Sequence, residues 1–321
     1  MGGLNQEMVQ ALRCPVCMAK LDLGAAEARC AGARCGATFP VVEGVPVLLN
    51  EARSLFRFAD YRGPRGPEDS ERPIRRLQRW MKPVMPPLAS NFHAEDNLRC
   101  YADLLEAASP RPRVLIIGGR TAGMGVESVL DRRRLDLCET DVAFGPRTRI
   151  VCDAHDLPFA DASFDGVVAQ AVIEYLPRPQ RAVEEIHRVL RPQGMVYAET
   201  PFLQPVHGGG YDFMRFTPVG HRALFRRFEE VSSGVACGPG MALASTYRYF
   251  LMSLTATRTG RGLANAFGRL TSLWLPHIDR WLVDHPSALD VASGSYFLGR
   301  RSEREISDRE VVQSYRGLVM R

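Results

Sequence analysis

The chain has 321 residues, 45% of them apolar and 24% charged, with a formal charge of +5. This is globular composition, about two domains' worth of chain, and it excludes a wholly disordered or collagen-like polypeptide. No run of about 20 uncharged apolar residues occurs, so no spanning helix is expected. The opening MGGLNQEMVQALRCPVC lacks a basic-then-apolar signal pattern, and Gln6 stands where a myristoylation signal has Ser or Thr. The expected compartment is the cytoplasm. Only Lys20 and Lys82 among the 41 basic residues are lysine. That skew reads as coding bias, and so mild a net charge does not by itself call for a polyanionic partner.

Residues 10–50 read as a small β-rich unit with cysteine-bearing turns. Cys14-x2-Cys17 is followed after 12 residues by Cys30-x4-Cys35. Two cysteine pairs on two turns can close a tetrahedron of thiolates around Zn²⁺, and four filled positions make a structural site. A unit this small has little core of its own, so metal would supply much of its stability. The other cysteines, Cys100, Cys138, Cys152 and Cys237, sit among apolar neighbours and read as small buried residues.

Residues 51–96 are rich in proline and arginine and read as a linker with one short helix near 74–81 and a solvated basic face. From 97 to 234 helices and strands alternate. The pattern predicts a helix over 97–108, a strand over 113–117 ending in glycines, and a helix over 123–131. Strands follow over 135–140, ending at Asp141, over 150–152, ending at Asp153, and over 164–169. A helix is expected over 178–190 and a fifth strand over 195–199. Thr217 caps a last helix that has Pro218 at its first position and runs to about 228. Residues 235–321 suggest amphipathic helices over 241–255 and 263–283 and a closing strand over 296–298. Such alternation predicts an α/β fold: a Rossmann-like sheet with helices on both faces, preceded by the β-rich unit and followed by a helical extension.

Two stretches carry family resemblances. Leu12-Arg-Cys-Pro-Val-Cys17 and Phe39-Pro-Val-Val-Glu-Gly-Val-Pro-Val-Leu-Leu49 resemble the zinc-ribbon family that includes the small activating subunit of eukaryotic tRNA and rRNA methyltransferases. The second begins at the turn Ile117-Gly118-Gly119-Arg120-Thr121-Ala122-Gly123-Met124-Gly125. A glycine turn between strand and helix allows close backbone approach to a nucleotide-like ligand. Asp141 lies 23 residues after Gly118, where a carboxylate can accept hydrogen bonds from ribose hydroxyls. With Asp153-Ala-His-Asp-Leu-Pro-Phe159 and the run through Gly194, these residues resemble class I S-adenosylmethionine (SAM) methyltransferases, the small-molecule and quinone group in particular. The resemblance implies that Gly118, Gly119 and Gly123 approach the methionine part of SAM and that Asp141 binds ribose. It further implies that Asp153 and Ala154 flank adenine and that Gln170 lies beside the cofactor. The sequence departs from the family at Ile116, where an acid is common, at Arg120, the usual central glycine, and at Glu174-Tyr175, usually Glu-His.

Methyl transfer from a sulfonium is an in-line displacement that depends on alignment, and a hydroxyl or amine acceptor can also need a base. The segment after the fifth strand sets His207, Tyr211, Asp212 and Arg215 around Gly208–Gly210. His207 is the candidate base, and Tyr211 and Asp212 could orient it or the substrate; the alternative is that residues 211–217 are a structural lid. The function expected is methyl transfer to a hydroxyl or amine of a small molecule, saccharide or lipid-linked intermediate. Two alternatives stand beside it: an RNA methyltransferase that uses the zinc ribbon to hold RNA, and a non-catalytic adaptor. The C-terminal region would either enclose the substrate or complete the sheet and a homodimer contact.

Overall fold

The computed structural model describes residues 4–61 and 91–318. The expected helix near 74–81 and most of the expected linker lie outside them. A short helix α1 (Gln6–Ala11) and four short strands open the chain: β1 (Leu21–Leu23), β2 (Glu27–Cys30), β3 (Thr38–Val42) and β4 (Val45–Leu48). The middle runs α2 (Ala94–Ala108), β5 (Arg113–Ile117), α3 (Glu127–Leu130), β6 (Asp136–Asp141), β7 (Ile150–Cys152), β8 (Phe164–Gln170), α4 (Pro179–Val189), β9 (Leu190–Pro201) and α5 (Pro218–Leu224). The end runs β10 (Phe228–Cys237), α6 (Pro239–Ser253), α7 (Arg258–Ser272), α8 (Leu275–Leu282), α9 (Pro286–Asp290), β11 (Gly294–Arg301) and α10 (Asp308–Gln313).

Among the described residues the strands join one sheet in the order β1-β2-β3-β4-β7-β6-β5-β8-β9-β11-β10. From β7 to β9 the strands are parallel, and β11 is antiparallel to both β9 and β10. The chain steps outward from β5 to β7, then returns to β8 on the other side of β5. That reversal opens a crevice at the carboxyl ends of β5 and β8, the usual ligand position in such sheets.

Successive residues of a strand face opposite sides of a sheet. On β5, Leu115 and Ile117 join a core with Val183 and Ile186 of α4, while Val114 and Ile116 join another with Leu98, Tyr101 and Leu105 of α2. Both faces are therefore covered, which is why the strand reads as a continuous apolar run.

The sequence misjudges four elements. The helix expected over 123–131 is only Glu127–Leu130. Gly125 has φ +76°, and a Cβ there would lie 2.6 Å from the backbone nitrogen of Glu95. The helix after Thr217 stops at Leu224, and 228–237 is β10, an edge strand with two register shifts and a polar stretch, Glu229, Glu230, Ser232 and Ser233. An edge strand with one wet face lacks the apolar run that marks its buried neighbours. β9 begins at Leu190, directly after α4, and is longer than the five residues expected. The helix expected over 263–283 is broken into α7 and α8 near Trp274 and Pro276.

The N-terminal unit merges with the sheet. β4 lies parallel to β7, with Val47 opposite Val151 and Leu48 opposite Cys152. Met8, Leu12, Phe39 and Leu48 belong to the same core as Leu115 and Phe159. Arg13 N donates to Pro158 O at 2.9 Å and Ala160 N to Ala11 O at 2.8 Å.

Candidate functional site

The four clustered cysteines converge. The sulfurs of Cys14, Cys17, Cys30 and Cys35 all lie within 4.8 Å of one another. Cys14 Sγ is 3.8 Å from Cys35 Sγ, and Cys17 Sγ is 3.3 Å from Cys30 Sγ. A tetrahedron with Zn–S of about 2.3 Å has sulfur edges near 3.8 Å, whereas a disulfide needs about 2.05 Å. The donor set therefore fits one zinc ion. The turns explain the convergence: Met18 N donates to Cys14 O at 2.8 Å, and Cys35 N to Gly32 O at 3.0 Å. Gly32 is closely packed: a Cβ there would stand 3.3 Å from the sulfurs of both Cys17 and Cys30.

The glycine turn after β5 is pinned to its neighbours. Gly118 N and Gly119 N both donate to Thr140 O at 2.9 Å. Gly118 has φ +80°, and its Cβ would fall 2.4 Å from Val172 Cγ2. Asp141 accepts from Arg120 N at 3.1 Å and Ala143 N at 3.0 Å. Burial raises its pKa, and those amides only partly offset the rise. Gln170 at the end of β8 donates to Met124 O at 2.8 Å and to Glu199 at 3.1 Å, and it lies against Gly123. Its Oε1 is buried without a partner. Gly118, Gly119, Gly123, Asp141 and Gln170 thus lie at or just beyond the carboxyl ends of β5, β6 and β8. A ribose-type carboxylate and an orphaned amide acceptor beside a glycine turn fit a cationic nucleoside such as SAM.

Asp153 and Ala154 follow β7, and Asp153 is turned inward. Its carboxylate accepts from Ser54 Oγ at 2.6 Å, from His155 N at 3.0 Å and pairs with His155 Nδ1 at 2.5 Å. Burial alone would raise its pKa, but the bonds from His155 and Ser54 more than offset this, and it is lowered. The neighbouring Asp156 is bound by Arg53 at 3.0 Å. Ser54 and Arg53 belong to the segment following β4, so the N-terminal unit grips the loop that the sequence assigns to adenine.

In the segment after β9, His207 and Asp212 come together. Asp212 accepts from His207 N at 2.9 Å and from Arg215 Nη2 at 2.6 Å. The Arg215 guanidinium holds its pKa well below the usual carboxylate range. Tyr211 stacks on Phe56, ring centres 5.9 Å apart. His207 Nε2 lies 4.0 Å from Glu174 Oε1. Glu174 is fully buried, neither carboxyl oxygen has a hydrogen-bond partner, and burial pushes its pKa up to about 8. Its own carbonyl accepts from Phe213 N and Met214 N, at 2.9 and 3.2 Å, which ties the segment after β9 to the turn after β8. The sequence did not single out Glu174 as a site residue. Its only signal was its place after the fourth parallel strand, because burial of a side chain cannot be read from a local motif. His155 is buried and receives Arg178 N on its Nε2 at 3.3 Å.

Residues 129–198, from α3 into β9, match the family model described as a methyltransferase domain. Over 120 residues the chain is 33% identical to 2-methyl-6-phytyl-1,4-hydroquinone methyltransferase 2, chloroplastic, of Oryza sativa subsp. japonica, which covers 33% of each chain. Over 109 residues it is 33% identical to the biotin biosynthesis bifunctional protein BioHC of Cellvibrio japonicus, covering 30% of this chain and 21% of that one. The chain thus spans a third or less of the length of these curated relatives. Among solved structures it resembles the 1,6-didemethyltoxoflavin-N1-methyltransferase of Burkholderia thailandensis, with bound 1,6-didemethyltoxoflavin and S-adenosylhomocysteine. That likeness has a TM-score of 0.38 at 17% identity and covers 65% of this chain and 80% of that one. Residues 129–198 of this chain are thus similar to a methyltransferase domain.

Proposed function

We propose that the protein is a SAM-dependent methyltransferase acting on a hydroxyl or amine of a small molecule, saccharide or lipid-linked intermediate, with a structural zinc held by Cys14, Cys17, Cys30 and Cys35. The observation that carries this reading is the joining of the glycine turn, Asp141 and Gln170 at the point where strand order reverses. Bound SAM supplies an electrophilic methyl group on a sulfonium. Asp141 accepts from the ribose hydroxyls with the oxygen lone pairs that the two amides leave open. Gly118, Gly119 and Gly123 let the backbone approach the methionine part, and Gln170 Oε1 accepts from its ammonium. Asp153 and Ala154 border the adenine.

His207 takes the acceptor's proton. Asp212 fixes the His207 backbone, and the buried Glu174 carboxyl stands 4.0 Å from Nε2. Tyr211 borders the acceptor entrance from its stack on Phe56.

Calorimetry with SAM tests the cofactor half. Charge-assisted bonds are worth roughly 1.5–3 kcal/mol each, so Asp141→Ala lowers SAM affinity by roughly 10- to 150-fold per bond lost. Asp136→Ala, on the same strand, leaves affinity near wild type. Loss in the second variant alone would refute the assignment. Transfer of labelled methyl groups into fractionated extract tests the other half: His207→Ala lowers turnover by ~10²–10⁴-fold with SAM affinity nearly unchanged. Unchanged turnover removes His207 from the reaction.

A further inference from the structure

Among the helices α6 to α8, α7 is packed with its polarity reversed. A surface helix normally turns its apolar stripe to the core. Here α7 packs on Arg248 and Leu251 of α6 through its small residues Gly268 and Ser272 and the polar Asn265. A Cβ on Gly268 would stand 3.0 Å from Arg248 Cγ, Ser272 is buried, and Arg248 donates to Asn265 Oδ1 at 2.9 and 3.1 Å. The outward stripe is Leu263, Phe267, Leu270 and Trp274, at spacings of four, three and four residues, 55–70% exposed. Leu254 at 68% and Trp281 at 68% extend the same layer before and after it.

The charges of this layer are mostly of one sign, with the exposed Asp284 just after it lying 3.4 Å from His93 Nε2. Residues 239–283 contain five arginines and one acid. The acid, Asp279, is fully buried and accepts from Gly240 N at 2.6 Å and Met241 N at 2.9 Å, capping α6. Arg258, Arg261 and Arg280 are exposed. A second copy of the layer would oppose arginine to arginine. Residues 62–90, with seven basic and three acidic side chains, are also a poor electrostatic match. Apolar and indole side chains bordered by arginine match the boundary between anionic headgroups and acyl chains. The layer is also tied to the acceptor side, because Tyr249 OH donates to Val206 O at 3.2 Å, next to His207.

We infer that the outward face of α6 to α8 docks on an anionic lipid bilayer, lying in the interface without crossing it. The docking does not require methyl transfer and reads the same in a protein whose cofactor site has been disabled.

Flotation of the full chain with phosphatidylcholine vesicles, with and without one quarter phosphatidylglycerol, tests this. Binding is expected to the anionic vesicles, to weaken with salt and to shift tryptophan emission to the blue. Arg258→Gln and Arg261→Gln each weaken it by about fivefold. Leu270→Glu and Trp274→Glu each weaken it by roughly tenfold or more, with circular dichroism and thermal midpoint as in the wild type. The inference is overturned if neither vesicle retains the protein, or if the stripe variants bind as well as the wild type. A dimer in sedimentation equilibrium that Leu270→Glu dissociates, without vesicle binding, would also overturn it and assign the face to a second copy.

Discussion

The chain extends its central sheet at both edges, and the two additions treat their apolar groups in opposite ways. The N-terminal unit enters the sheet through β4 and sinks Met8, Leu12, Phe39 and Leu48 into the core behind β5. Its polar atoms also find partners on the loop after β7, where Ser54 holds Asp153 and Arg53 holds Asp156. The C-terminal helices follow β10 and leave Leu263, Phe267, Leu270 and Trp274 in solvent. Buried apolar area stabilises a fold, whereas an exposed apolar stripe contributes nothing to the isolated chain and marks a surface meant to be covered. One addition is therefore part of the folded body, and the other is arranged for an encounter.

This contrast predicts a steep gradient of mutational effects. The largest belongs to the metal site. Cys14→Ser, or zinc removal by a chelator, eliminates about one zinc per chain and destabilises residues 10–50 by more than ~4 kcal/mol, the range seen when a structural metal is lost. Elemental analysis and limited proteolysis check it. Because β4 belongs to the sheet, the β7 edge loosens as well, and a sheet domain entirely indifferent to the loss would show the merger to be weaker than its shared core suggests.

An intermediate effect is expected at the grip on the loop. Ser54→Ala leaves one oxygen of the buried Asp153 carboxylate without its donor, at a cost of about 1–3 kcal/mol near neutral pH. Asp153 has a lowered pKa in the folded chain, so its contribution is present above the ordinary value of 3.8 and fades as pH falls through the lower folded value. The difference between Ser54→Ala and wild type in urea unfolding should therefore shrink at acid pH. A penalty that is constant with pH would place the Ser54 contribution elsewhere.

The smallest effect belongs to the C-terminal layer. Leu270→Ser removes a side chain that is 70% exposed, and stability should stay within about 0.5 kcal/mol of wild type in the absence of vesicles. A large loss on unfolding would mean that the stripe is packed in the isolated protein and would erase the contrast.

Local chemistry in the sequence determined much of this protein. The β5 strand and its glycines, the Asp141 terminus of β6, the short β7 run before Asp153, and the Thr217 cap with Pro218 all follow from residues within a few positions of one another. Metal-ligand spacing likewise brought Cys14, Cys17, Cys30 and Cys35 to one point. Other features depend on partners far away in the chain, and only the tertiary structure decided them. Gly125 breaks the expected helix because the backbone at Ala94 and Glu95 crosses it. β10 hides in a polar sequence because only β11 and one edge of the sheet make it a strand. Asp153 faces Ser54 because an extension 99 residues earlier docks on its loop. Glu174 is perturbed because the segment of residues 207–216 folds back against the end of β8 and keeps water from a carboxyl that the sequence shows only as an acid after a strand. The period of α7 announced an amphipathic helix, but the side its apolar stripe would face was set by the close packing of Gly268 and Ser272 on α6, a choice that no local pattern encodes.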